Sequence, residues 1–250
     1  MNDHELAASI AQEAGELLLA LRPTIEDPIE LRAAGDAQAN VVILDRLHAE
    51  RPDDAILSEE SADDLTRLDY DRVWIVDPLD GTLEFGEGDR DDWAVHVALS
   101  THGDASIGAV ALPAQAVVFV TDPRPSLTPR PDGAPRLVVS RTRPPAVTAA
   151  LEAALGAELV PMGSAGAKAM AILQGRVDVY AHAGGQYQWD SAAPVAVAAA
   201  AGLHVSRLDG SPLVYNAADR ALPDLLICRP EYAAMVIDTI AAAGGAAAYS

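Results

Sequence analysis

The sequence predicts a mixed α/β (α+β) fold of two halves sharing one cleft, on three observations. Apolar residues recur at helical spacing through the first fifty positions. Short apolar runs rich in β-branched residues follow between positions 55 and 121. After a proline-rich stretch at 122–133, short strands alternate with helices.

Each element has its own warrant. Leu6, Ile10, Leu17, Leu18 and Leu21 share one helical face, and Arg22-Pro23 ends that helix. A second helix is expected from about Asp36 to Glu50, with Val42, Ile43 and Leu47 turned inward and Pro52 beyond it. Strands follow at 55–57 and 73–76; Pro78 cannot continue a central strand, and Gly81-Thr82 suit a tight turn into a helix. Runs at 93–100, 107–112 and 116–121, separated by Gly, Asp and Pro, complete a first sheet of largely antiparallel strands. The polar, proline-rich segment 122–133 serves as the linker between an N-terminal half, 1–130, and a C-terminal half, 131–250. There, strands at 137–140, 159–161 and 177–181 alternate with helices at 145–155 and 165–174. A helix after Asp190, strands near Val205 and at 225–228, and a helix from Pro230 close the chain. No internal repeat is evident.

Composition narrows the function. The chain has 250 residues, enough for a sizeable core, with 17 basic against 37 acidic side chains and a formal charge of −20. That charge repels a nucleic-acid backbone and an anionic membrane surface alike, so neither is an expected partner. A small anionic substrate is compatible with it if bound cations invert the local field. Cys228 is the single cysteine, which excludes an internal disulfide and a thiolate metal cluster and fits a reducing compartment. The start of the chain lacks a basic n-region, and the longest apolar stretch, 192–205, is mostly alanine and shorter than a membrane span. A cytoplasmic, soluble protein is expected.

Three acidic segments carry the chemistry. In the first, the apolar strand 73–76 ends in Asp77-Pro78-Leu79-Asp80-Gly81-Thr82, which places carboxylates at a strand end beside a helix start. Hard oxygen ligands there suit a divalent cation, and the amides of Gly81 and Thr82 suit a phosphate. The second is Ser58-Glu59-Glu60, again at the end of an apolar strand; the third is Trp189-Asp190-Ser191-Ala192-Ala193, before an alanine-rich helix. Each aspartate taken singly also suits a helix cap or a turn. Together, the order and spacing of the three segments resemble the inositol monophosphatase superfamily over nearly the whole chain. Asp80 to Phe85, Asp-Gly-Thr-Leu-Glu-Phe, resembles its CysQ branch, the 3'(2'),5'-bisphosphate nucleotidases.

That resemblance implies a layered αβαβα sandwich and a site holding two or three Mg²⁺ ions. It assigns Asp77 the bridge between two ions, Leu79 a backbone carbonyl ligand, Glu59 the completion of one metal position, and Asp190 the completion of the other with Asp77 and Asp80. Thr82, whose hydroxyl is too weak a base alone, is implied to relay a proton to Asp36. The implied reaction is metal-assisted hydrolysis of the 3'-phosphate of adenosine 3',5'-bisphosphate (PAP) to AMP and phosphate, clearing a by-product of sulfate assimilation, with lithium sensitivity and a homodimer. Inositol-1-phosphate and fructose-1,6-bisphosphate are rival substrates. A haloacid dehalogenase-type phosphatase is a more distant rival, as is a non-catalytic metal or phosphate sensor; Pro78 and Leu79 separate the two acids where the dehalogenase motif has one residue.

Substrate contacts are expected from Gly163, Ser164 and Lys168, at a small-residue turn into a helix. Packing alone also accounts for that turn. Arg141 or Arg143, past the strand at 137–140, could grip a second phosphate, and Tyr215 lies in a stretch resembling a family turn near the leaving group. The six histidines lack ligand spacing and read as surface or packing residues.

Overall fold

The computed structural model describes residues 1–244; the last six positions of the expected second half, 245–250, lie outside the described residues. In chain order the elements are α1 (Asp3–Leu21), α2 (Pro28–Glu50), β1 (Ala55–Ser58), β2 (Arg72–Asp80), α3 (Thr82–Gly86), β3 (Ala94–Thr101), β4 (Asp104–Leu112), β5 (Val117–Val120), β6 (Arg136–Ser140), α4 (Thr148–Leu155), β7 (Glu158–Met162), α5 (Ala165–Leu173), β8 (Val179–Tyr187), α6 (Gln188–Ala200), β9 (His204–Ser206), β10 (Ala221–Cys228) and α7 (Pro230–Ala242).

They form two five-stranded sheets, ordered β1-β2-β3-β4-β5 and β7-β6-β8-β10-β9. In the first, β1 and β2 are parallel and the remaining pairs antiparallel. In the second, β6 is parallel to both β7 and β8, while β10 is antiparallel to β8 and β9.

Burial on both faces of each sheet sets the layering, because alternate residues of a strand point to opposite sides. On β2, Trp74 and Val76 join Leu6, Ile10, Leu18, Ile43 and Leu47 of α1 and α2, whereas Val73 and Ile75 join the central core. That core takes Met170 and Ile172 from α5, Trp189 and Val195 from α6, and Val138, Tyr180, Leu225 and Ile227 from the second sheet. The outer face of the second sheet packs Leu137, Val179 and Leu226 on Leu151 of α4 and Val236 and Ile240 of α7. The order of layers is α1/α2, sheet, α5/α6, sheet, α4/α7, the αβαβα sandwich expected from sequence.

Three local differences from the sequence expectation matter for the site. The second helix begins at Pro28 rather than near Asp36, because Asp27 caps it by accepting the N–H groups of Ile29 (2.8 Å) and Glu30 (2.9 Å), with Pro28 preset for the first turn. Its first turns show weak apolar periodicity, since Ile29 is exposed and Gly35 is needed where Phe85 and Leu79 approach closely. Strand β2 also runs through Pro78 to Asp80. Its pairing with β3 jumps from Asp77↔His96 to Asp80↔Ala94, so Pro78 and Leu79 share a bulge where no ladder N–H is required of the proline. Finally, β8 extends to Tyr187, held by β10 despite the left-handed Gly184 and Gly185, and so delivers the chain directly into α6.

Candidate metal and phosphate site

The bulge at the end of β2 turns Asp77 and Asp80 toward the start of α6, where Asp190 projects from the first turn. One carboxylate oxygen from each of the three lies within 4.8 Å of the others. Asp77 is only 1 % exposed, and its Oδ1 accepts the Leu79 N–H at 3.1 Å. Asp190 Oδ2 accepts the Tyr187 N–H at 2.6 Å, which orients that side chain. Gly81, at φ +87°, makes the turn from β2 into α3, a conformation in which glycine has no Cβ penalty.

The acids impose a heavy electrostatic load on one another. Burial pushes the Asp77 carboxyl well above the usual carboxylate range, and the charges of Glu59, Asp80 and Asp190 add to it. Burial and the Asp80 charge push Asp190 up to about 7. Glu59, just past β1, is exposed as a residue, yet desolvation of its carboxyl against the cluster raises it, partly offset by Asp77 as hydrogen-bonding partner. Asp36 on α2 is raised to about 7 by burial, then by Glu60 and Glu59. So many like charges cannot all ionise without compensation, and an all-oxygen donor set is what a hard divalent cation prefers. The residues therefore fit a divalent metal, with Asp77, Asp80 and Asp190 able to hold it and Glu59 beside them.

Asp80 behaves differently. Burial would raise its carboxyl, but His96, the Ser164 hydroxyl and the Gly166 N–H hold it below its usual value. His96 is fully buried on β3, paired in register with Asp77. Its Nδ1 lies 3.1 Å from the Trp189 carbonyl, which can only accept, so Nδ1 carries a proton; Nε2 lies 3.3 Å from Asp80 Oδ2. Sequence reasoning placed this histidine in the packing and assigned it no part in the site. A lone histidine in an apolar strand gives no signal until the strand pairing sets it opposite Asp77.

Asp80 and Asp190 open onto a cleft of about 490 Å³, lined also by Gly81, Thr82, Glu84, Arg141, Arg143, Gly163, Ser164 and Lys168, among others. Lys168, on α5, is 6 % exposed, and among the described residues it forms no ion pair within 4 Å; its Nζ lies 5.3 Å from the Tyr180 ring centroid. Burial lowers its pKa, against the pull of Asp80, Glu84 and Asp190. Thr82 Oγ1 donates to the Leu79 carbonyl at 3.2 Å, and no Thr82–Asp36 bond occurs among the described residues. Arg141 gives Nε and Nη2 to Glu84 Oε1 at 3.2 and 2.8 Å, and Nη2 also to Glu87 Oε1 at 3.0 Å. Arg143 is exposed and outside any ion pair of the described residues. Tyr215 is buried away from the cleft lining, its hydroxyl 3.2 Å from Ser191 Oγ. Of the expected substrate contacts, then, the cleft brings together Gly81, Thr82, Gly163, Ser164 and Lys168; it holds Arg141 in a pre-formed ion pair and leaves Tyr215 in the core.

A two-sheet sandwich with clustered acids at an open polar cleft defines a class of metal-dependent phosphatase. The chain belongs to the inositol monophosphatase family, whose profile matches residues 5–242. It is 56 % identical over 240 residues to a protein of Mycobacterium bovis named 3'-phosphoadenosine 5'-phosphate phosphatase, covering 92 % of this chain and 90 % of that one. It is 33 % identical to 3'(2'),5'-bisphosphate nucleotidase CysQ of Escherichia coli K12, covering 73 % and 78 %. The crystal structure of CysQ from Bacteroides thetaiotaomicron superposes with a TM-score of 0.77 at 26 % identity, over 90 % of this chain and 96 % of that one. Among the described residues no helix is long and apolar enough to cross a membrane.

Proposed function

We propose that this protein is a Mg²⁺-dependent phosphomonoesterase that hydrolyses the 3'-phosphate of PAP to AMP and phosphate. The observation that carries the reading is the convergence of Asp77, Asp80 and Asp190, the last two lining a cleft that also holds Lys168, which among the described residues forms no ion pair. The name borne by the 56 % identical mycobacterial relative supports the choice of substrate.

Asp77, Asp80 and Asp190, with the Leu79 carbonyl and Glu59, would hold two or three Mg²⁺ ions, which when bound would supply charge neutralisation at the phosphoryl group and a more acidic water. Backbone N–H groups of Gly81 and Thr82 orient the phosphoryl group for in-line attack. Glu59 and Asp36 would take up the proton released by the attacking water, with the Thr82 hydroxyl as relay. Lys168, together with Gly163 at the same turn, and Arg143 at the rim receive the anionic remainder of the bisphosphate. Arg141 contributes by fixing the wall rather than by gripping phosphate, since two carboxylates already occupy it.

The halves 1–130 and 131–250 act as one unit around this cleft, with a core shared between the two sheets in support. The protein works in the cytoplasm as a homodimer. A phosphate-release assay with PAP, inositol-1-phosphate and fructose-1,6-bisphosphate side by side tests the substrate choice: PAP should rank first in kcat/KM, and a higher ranking for either rival overturns it.

A further inference from the structure

Ser164 was expected to touch substrate, but its hydroxyl is already engaged on both sides. A serine hydroxyl has one O–H to give and lone pairs to accept with. Here the O–H goes to Asp80 Oδ2 at 2.5 Å, and the oxygen accepts the Ala167 N–H at 2.9 Å. The same Oδ2 receives the Gly166 N–H at 2.7 Å and faces His96 Nε2 at 3.3 Å. Two hydrogen bonds to one oxygen, with the His96 ring close behind it, leave Oδ1 of Asp80 to meet a cation and fix the plane in which it does so. The turn is built around this contact. Ser164 stands at φ +49°, ψ 132°, a region disfavoured for any residue with a Cβ, and such conformations persist only where surrounding structure enforces them. Gly166 has no room for a Cβ, which would overlap the His96 ring.

We propose that Ser164 is a positioning residue for the metal ligand Asp80, and not a substrate contact. The proposal rests on the reading of Asp80 as a metal ligand. Partners of this kind, which orient a ligand from behind, typically change metal affinity by about 10- to 100-fold when removed. The arrangement also couples the metal site to the turn that carries Lys168, because one hydroxyl joins both.

The test is Mn²⁺ binding to the substrate-free protein, followed by electron paramagnetic resonance, in wild type, Ser164→Ala and Ser164→Gly, with Asp80→Asn as the reference for a lost ligand. Glycine suits the positive φ, so Ser164→Gly removes the hydroxyl while relaxing the backbone. Both serine variants should bind Mn²⁺ about 10- to 100-fold more weakly than wild type. Their KM for PAP at saturating metal should stay within about twofold of wild type, as expected when no uniform substrate binding is lost. Wild-type Mn²⁺ affinity in both variants, with a raised KM, overturns the proposal and leaves the metal-site reading standing. Absence of Mn²⁺ binding in the wild type overturns the metal-site reading itself and the positioning role with it.

Discussion

Arg141 binds Oε1 of Glu84 through both Nε and Nη2, tying the segment after β6 to the helix that opens the cleft. Glu84 is 5 % exposed, so loss of its partner leaves a carboxylate buried at the wall of an already acidic site. Arg141 itself is partly solvated, which reduces the cost below that of a fully buried pair. Arg141→Ala should destabilise the protein by about 2 kcal/mol, or roughly 4–8 °C in Tm for a chain of this size. Thermal unfolding measures this. Arg143→Ala should leave Tm unchanged and raise the KM for PAP, the reverse pattern.

The acidic cluster makes the metal-free fold pH-sensitive. Asp36 and Asp190 have folded-state values near 7, above the unfolded value of 3.8. The folded state therefore binds more protons through that interval. The stability these groups confer is fully present below about 4 and is lost as pH rises through about 7. In chelator, Tm should fall between pH 4 and pH 8; saturating Mg²⁺ should restore most of the loss at pH 8, with metal affinity rising over the same range. A metal-free Tm that climbs across this window contradicts the assignment.

The same repulsion predicts a trade of stability against activity. Asp77→Asn removes one ionisable carboxyl from the crowded cluster while preserving shape, so at pH 8 the metal-free variant should melt above metal-free wild type. Phosphate release from PAP by that variant should drop to background even in high Mg²⁺.

His96 and Gly166 form a size-matched pair. A methyl group at 166 meets the imidazole directly, so Gly166→Ala should cost about 1–3 kcal/mol through overpacking. Adding His96→Ala should recover part of that loss, a coupling measurable by a double-mutant cycle in chemical denaturation.

The αβαβα layering was legible only through the family resemblance, which periodicity alone does not carry, whereas the acidic segments behind that resemblance rest on local pattern. Apolar runs end in carboxylates at Glu59 and at Asp77 and Asp80, and Asp190 precedes a helical stretch. What escaped was whatever depends on partners distant in the chain. His96 becomes part of the site only through its pairing with Asp77, and Ser164 meets Asp80 only because α5 is sandwiched between the sheets. The early start of α2 was hidden because Asp27-Pro28 is followed by the exposed Ile29, so the cap came without the apolar periodicity that normally accompanies it. Pro78 was read as a strand end, whereas the bulge relieves it of any ladder bond. Arg141 read as a free cation because Glu84 and Glu87 lie more than fifty residues upstream.

The proposed activity requires Asp190 to complete, from a distant part of the chain, the metal site begun by Asp77 and Asp80. The most direct measurement is the Mg²⁺ dependence of phosphate release from PAP by wild type and Asp190→Asn at pH 8. The predicted result is complete dependence of the wild type on Mg²⁺, with the variant either inactive or half-activated only at Mg²⁺ concentrations more than about tenfold higher. Wild-type turnover persisting in excess chelator, or an Asp190→Asn enzyme with an unchanged Mg²⁺ requirement, would contradict it.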